Sequence, residues 1–139
     1  MPSPGEILAT IEAARRVLEA DARIAYALVF GSAAREDGRP ARDLDLAVGL
    51  TRGTRLSVRD LGDLLSRLEK AAGKPVDLVL MQEAPPGLAY RVFAGGRVIL
   101  DRDRAALVER KAQAIIDYLD FKPIEELCAG GVLAAARGR

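Results

Sequence analysis

The sequence contains no histidine and only one cysteine, Cys128, among its 139 residues. Without imidazole there is neither a Ser-His pair for nucleophilic catalysis nor a histidine-ligated metal site. One thiol forms no internal disulfide and no cysteine-based zinc site, and it is typical of a reducing compartment. Any metal chemistry in this chain therefore depends on oxygen ligands.

Aromatic residues are few, and neither charge sign dominates. Three Tyr, three Phe and no Trp leave a core to be built from Leu, Val, Ile and Ala, and the formal net charge is +1. No basic stripe is visible, so direct nucleic-acid binding is not expected. No apolar run reaches membrane-spanning length, and the first ten residues lack the pattern of a signal peptide. We therefore expect a cytoplasmic protein with no membrane contact.

Half of the residues are apolar, which is enough for the core of one domain. Their periodicity predicts the order α-β-turn-β-α-β-β-α, and therefore the α/β (α+β) class, with helices packed on a small mixed β-sheet in two layers. The predicted elements are a helix to about Ala20, strands Ile24–Phe30 and Leu44–Gly49, a helix over Leu56–Ala72, strands Pro75–Met81 and Arg97–Leu100, and a last helix to about Leu119. Between the last two strands we expect at most one helical turn. The domain is expected over residues 1–121, with a C-terminal tail over 122–139 that is a candidate for partner docking.

Two acids occupy alternating positions at the second predicted strand. Asp43 and Asp45 are two residues apart, so on a strand they point to the same face. Like charges side by side repel, and burial adds to the cost, so something must offset it. One candidate is a divalent cation such as Mg²⁺, which prefers oxygen ligands. The other is arginine pairing, for which the chain offers Arg35, Arg39 and Arg42.

A third acid, Asp77, lies in the apolar run of the third predicted strand, "KPVDLVLM". Acids on neighbouring strands of a small sheet can converge on one spot. The alternative is three unrelated carboxylates on a solvated sheet face. The trio favours a metal site over the alternative.

A Gly-Ser pair, Gly31–Ser32, directly follows the first strand. Glycine permits a tight turn and lets a phosphate approach the backbone, whose amides favour an anion. Taken alone, the pair is more often a plain turn. Beside a cation-binding acid cluster, it is one half of the minimum apparatus for transferring a phosphate-bearing group.

Together these residues resemble a known family. "GS" at Gly31–Ser32, ten intervening residues and "DLD" at Asp43–Asp45 resemble the signature of DNA polymerase β-like nucleotidyltransferases. The small size, Asp77, "AGGRVILDRD" and a final helix with "IIDYLDF" resemble the minimal nucleotidyltransferase (MNT) antitoxins of HEPN–MNT toxin–antitoxin systems. The resemblance covers nearly the whole chain.

The resemblance implies a function and its residues. It implies transfer of AMP from ATP to a tyrosine of a HEPN-domain ribonuclease toxin, which silences the toxin. Asp43, Asp45 and Asp77 are then the catalytic residues and the ligands of two Mg²⁺ ions. The nucleotide-binding residues are then Gly31, Ser32 and Arg35.

The chain departs from the family pattern at two positions. Arg42 stands where Ser or Thr is common, and Glu36 stands where Gly is common; neither change removes a metal ligand. Two other functions remain open. One is an antitoxin that only binds its toxin, and the other is a small-molecule nucleotidyltransferase, although related enzymes of that kind carry a further helical domain.

Overall fold

A computed structural model describes residues 4–34 and 42–127, with side chains for all of these except 4, 32 and 121–127. The regular elements alternate along the chain. They are α1 (Pro4–Glu19), β1 (Ile24–Phe30), a 3-10 turn (Gly31–Ala34), β2 (Leu44–Leu50), α2 (Val58–Ala72), β3 (Val76–Leu80), α3 (Pro86–Gly95), β4 (Arg97–Asp101) and α4 (Arg104–Leu127).

Helix α2 begins and ends on local signals in the sequence. The Ser57 hydroxyl accepts a hydrogen bond from the amide of Asp60 at 3.0 Å, and the Asp60 carboxylate accepts one from the amide of Ser57 at 3.1 Å. This reciprocal cap satisfies amide groups that the first helical turn leaves unpaired. At the other end, Gly73 has a φ of +70°, and its amide donates to the Glu69 carbonyl. The helix predicted over Leu56–Ala72 is confirmed, with its first residue at Val58.

The four strands form one mixed sheet in the order β3-β2-β1-β4. Strand β1 runs antiparallel to both of its neighbours, whereas β2 and β3 are parallel because α2 connects them as a crossover. The register aligns Phe30 of β1 with Asp45 of β2, and Asp45 with Asp77 of β3. One row across the sheet thus carries two of the predicted acids.

Helices cover both faces of the sheet, which corrects the expected two-layer arrangement. Leu18 of α1 and Leu64 of α2 belong to one buried cluster with the β2 residues Leu44, Leu46 and Val48. Residues of α3 and α4 form a second buried cluster with Tyr26, Leu28 and Ala47. The sheet is the middle of three layers, and β1 is apolar at every position because it is covered on both sides.

Two helices are longer than the sequence predicted. Helix α3 has ten residues where one turn was expected; it starts at Pro86, because proline suits a first helical turn, and it buries Ala89, Val92 and Phe93. Helix α4 continues to Leu127 rather than to about Leu119. Residues 104–127 contain no glycine that would end it earlier. The helix crosses the predicted boundary at 121–122, and the division into domain and tail stays a prediction.

No helix within residues 4–34 and 42–127 combines the length and the apolar character that a bilayer crossing requires.

Candidate active site

Asp45 and Asp77 form the centre of the candidate site. The sheet register places them directly opposite each other on β2 and β3. Burial raises the pKa of Asp45 above its usual value, repulsion from Asp77 raises it further, and a hydrogen bond to the Asp77 carboxyl and the charge of Asp43 add to the effect. Two carboxyl groups this close favour either a shared proton or a cation between them.

Gly31 packs against one side of the Asp45 carboxyl group. It opens the 3-10 turn after β1 with a φ of +68°, a conformation that side-chain-bearing residues rarely adopt. A Cβ built on Gly31 would collide with Oδ2 of Asp45 and would lie 3.1 Å from its Cγ. The turn backbone and the carboxyl group are therefore in direct contact, and only glycine fits between them.

Asp43 lies in the exposed bend that precedes β2. Its charge contributes to the raised pKa of Asp45, although less than Asp77 does. Within residues 4–34 and 42–127, no three Asp, Glu, His or Cys side chains are grouped as a ready metal cluster. The structure therefore brings Asp45 and Asp77 together and places Asp43 in the exposed bend at the rim of the site, and the role of all three as one ligand set stays a prediction.

Arginine pairing does not offset these charges in the described part of the chain. The ion pairs found there, such as Arg23–Asp21, Arg104–Asp101 and Arg15–Glu12, involve none of the three acids. Arg42 is exposed in the same bend as Asp43 and makes no ion pair among the described residues. Arg35 and Arg39, the other two arginines that the sequence offers for pairing, lie outside the described residues, so the choice between a cation and arginine pairing stays a prediction.

Two of the predicted nucleotide-binding residues, Ser32 and Arg35, are described only in part or not at all by the structure. The backbone of Ser32 lies in the 3-10 turn beside Gly31, but its side chain is not among those described. Arg35 and Arg39, as well as the departure from the family pattern at Glu36, lie outside the described residues. Their predicted roles remain predictions.

A cavity of about 460 Å³ adjoins the Gly31 turn. Its lining consists of Phe30, Gly31, Leu88, Arg91 and Gly95. From the sequence alone, Arg91 is an exposed arginine that could face a nucleotide. In α3, Leu88 and Arg91 are three residues apart and lie on one face of the helix. The site thus offers carboxylate oxygens for a cation beside the Gly31 turn, and the cavity adjoining that turn has an arginine for an anion in its wall.

Comparisons with known proteins agree with this architecture. A family model described as polymerase beta, nucleotidyltransferase matches residues 12–105. Three solved structures with 18% identity share the fold. A toxin–antitoxin with AMP-PNP has a TM-score of 0.74 and covers 88% of this chain and 98% of that chain. A tri-AMPylated Shewanella oneidensis HEPN toxin in complex with MNT antitoxin has a TM-score of 0.73 and covers 91% of this chain and 98% of that chain. A toxin–antitoxin MntA–HepT has a TM-score of 0.71 and covers 89% of this chain and 97% of that chain. A search of curated protein sequences finds no significant match.

Proposed function

The chain belongs to the polymerase beta nucleotidyltransferase family, and from this premise we propose that it is a Mg²⁺-dependent antitoxin that transfers AMP from ATP to a tyrosine of a HEPN-domain toxin. The observation that carries the proposal is the contact of the Gly31 turn with the Asp45 carboxyl group, which itself faces Asp77. Similar folds in structures of toxin–antitoxin complexes, one of them with an AMPylated HEPN toxin, support the choice of partner.

The acids fit Mg²⁺. Asp45 and Asp77 present hard oxygen donors side by side. The pKa of Asp45 is raised by burial and by repulsion from Asp77, and a cation would offset both because it stabilises the ionised carboxylate. Asp43 would complete the ligand set from the rim. Bound Mg²⁺ supplies Lewis-acid assistance, since it neutralises phosphate charge and makes the acceptor hydroxyl more acidic.

The other roles in the reaction belong to residues of this chain. Gly31 and Ser32 would hold the β- and γ-phosphates at the turn, and Arg35 would bind them from the same loop. The acceptor oxygen forms a bond to the α-phosphorus, the bond from that phosphorus to the bridging oxygen of the β-phosphate breaks, and pyrophosphate leaves with the bonding electrons. Asp77, at the exposed edge of the acid pair, accepts the hydroxyl proton.

The test uses the full chain, Mg²⁺, ATP labelled in the α-phosphate and the HEPN-domain protein encoded beside it. We expect label on a tyrosine of that protein and release of one pyrophosphate for each AMP transferred. Asp43→Ala and Asp45→Ala should each lower the rate by ~100-fold or more, because several kcal/mol of transition-state stabilisation are lost. Asp63→Ala, an exposed acid on α2, is the matched control and should leave the rate unchanged.

Other outcomes separate the alternatives. Binding and inhibition of the toxin without label transfer would indicate an antitoxin that acts by binding alone. Transfer to a small hydroxyl compound but not to the protein would indicate a small-molecule nucleotidyltransferase. Full labelling by the Asp43→Ala, Asp45→Ala double variant would overturn the role of the acids.

A further inference from the structure

A second cavity lies between α3 and α4, next to the cavity at the Gly31 turn. It has a volume of about 720 Å³, and we call it the α3 groove; its walls include Pro85, Pro86, Leu88, Tyr90, Arg91 and Tyr118. Leu88 and Arg91 also line the cavity at Gly31. The α3 groove and the cavity at Gly31 therefore share part of a wall.

Two tyrosines form the floor of the α3 groove. The rings of Tyr90 and Tyr118 pack with centroids 4.0 Å apart and an angle of 42° between their planes. Tyr90 is 36% exposed, and neither hydroxyl has a hydrogen-bond partner within the described residues. Such surfaces of tyrosine and proline offer flat apolar contact with polar tips, as protein-recognition surfaces commonly do.

Arg91 is the charged residue at the junction of the two cavities. It is exposed, and its Nε donates to the Gly87 carbonyl at 3.3 Å. Among the side chains that the structure describes, which exclude those of residues 121–127, no carboxylate pairs with its guanidinium. An acidic group on a bound molecule would therefore find an unpaired cation there, next to the place where the chemistry is proposed.

We propose that the α3 groove is the acceptor subsite and that it holds a polypeptide segment of the protein to be modified. The segment places an apolar or aromatic side chain on the Tyr90–Tyr118 pair and an acidic residue at Arg91, so that its hydroxyl residue lies toward Asp77. A nucleotide fits the groove less well, because Arg91 is the one charged side chain in its wall. This inference rests on the proposed function, since it names where that reaction receives its substrate.

The test measures binding rather than transfer. Isothermal titration is carried out on the full chain with two separate probes, Mg²⁺–ATP and the HEPN-domain protein encoded beside it. Tyr90→Ala and Arg91→Glu should each weaken binding of the HEPN protein by about tenfold or more, whereas Arg91→Lys should retain most of it. Both Tyr90→Ala and Tyr118→Phe should leave the affinity for Mg²⁺–ATP within about twofold of wild type.

Val108→Ala is the matched control, because Val108 is 54% exposed on α4 outside the groove; it should bind both probes as wild type does. If Tyr90→Ala unfolds the chain, the exposed Arg91→Glu still decides the question. The inference is overturned if the groove variants bind the HEPN protein normally, if wild type does not bind it, or if Tyr90→Ala weakens binding of ATP instead. Groove-dependent binding without any transfer would overturn the proposed function and leave the groove as a docking site for the HEPN protein rather than an acceptor subsite.

Discussion

Asp45 on β2 and Asp77 on β3 are register partners across a parallel strand pair, and their carboxyl groups interact directly. Burial first and the contact with Asp77 second raise the pKa of Asp45, so the folded state holds a proton there more tightly than the unfolded chain does. Such a group costs stability at neutral pH, where both carboxyls would be ionised, and the cost falls as pH is lowered. The site is thus a place where the fold is strained electrostatically and where a cation is favoured.

Replacing Asp45 by Asn should stabilise the metal-free protein. The substitution removes the repulsion, and we expect a gain of ~1 kcal/mol at pH 7, which corresponds to about 3–5 °C in melting temperature. Mg²⁺ should raise the melting temperature of wild type and not that of the variant. Thermal denaturation at pH 7, with and without Mg²⁺, checks both expectations. A variant that melts below wild type without Mg²⁺ would contradict the proposed strain.

Gly31→Ala should lower the free energy of unfolding by more than the positive φ of Gly31 alone explains. Gly31 and Gly53 both have positive φ, at +68° and +80°, but a Cβ at Gly53 meets nothing within 4 Å. Gly53→Ala should therefore lower the free energy of unfolding by ~1 kcal/mol, which is the backbone preference alone. Gly31→Ala must also displace Asp45, so we expect at least ~1 kcal/mol more, together with weaker Mg²⁺–ATP binding. We would compare the two variants by urea denaturation and by nucleotide titration. Equal losses of stability would contradict a contact between Gly31 and Asp45.

Tyr26, a member of the second core cluster, packs its ring directly against Gly49. Tyr26 is 3% exposed, burial raises its pKa to about 12, and its ring occupies the space that a Cβ on Gly49 would need. Gly49→Ala should destabilise the fold by ~2 kcal/mol through overpacking. Gly62→Ala on the open surface of α2, where a Cβ meets nothing within 4 Å, should instead stabilise it by about 0.5–1 kcal/mol. The Gly49 effect should shrink in a Tyr26→Ala background, and a double-mutant cycle by urea denaturation measures whether it does.

Asp21 should make stability depend on acid pH. Its nearly buried carboxylate accepts hydrogen bonds from Nε and Nη2 of Arg23 at 2.9 and 2.7 Å and from the Arg23 amide, and these lower the pKa of Asp21. A lowered carboxyl pKa stabilises the fold above the unfolded value and loses that contribution as pH falls below about 4. Asp21→Asn should therefore cost ~2 kcal/mol at pH 7 and progressively less toward pH 3. Urea denaturation over this pH range, with the exposed Asp63→Asn as control, tests the trend, and a pH-independent loss would count against it.

Much of the local structure and the family could be predicted from the chain itself. Strand β1 ends just before Gly31, and helix α2 ends just before Gly73. The spacing of Gly-Ser and Asp-Leu-Asp resembles that of the family whose model matches residues 12–105. These signals are local, because backbone conformation, caps and motif spacing depend on residues close together in sequence. The helix α3 was missed, since a Pro-Pro pair looks like a break although proline is compatible with a first turn.

The arrangement of the site was decided by the tertiary structure. Nothing in the sequence states that Asp77 stands opposite Asp45 rather than one register step away, because register follows from packing the whole sheet face. The same packing covers both faces of the sheet, brings Arg91 to the cavity beside Gly31, and leaves Asp43 at the rim. The sequence by itself determined which residues can do the chemistry. Only long-range burial of the apolar strands and helices determined which of them meet.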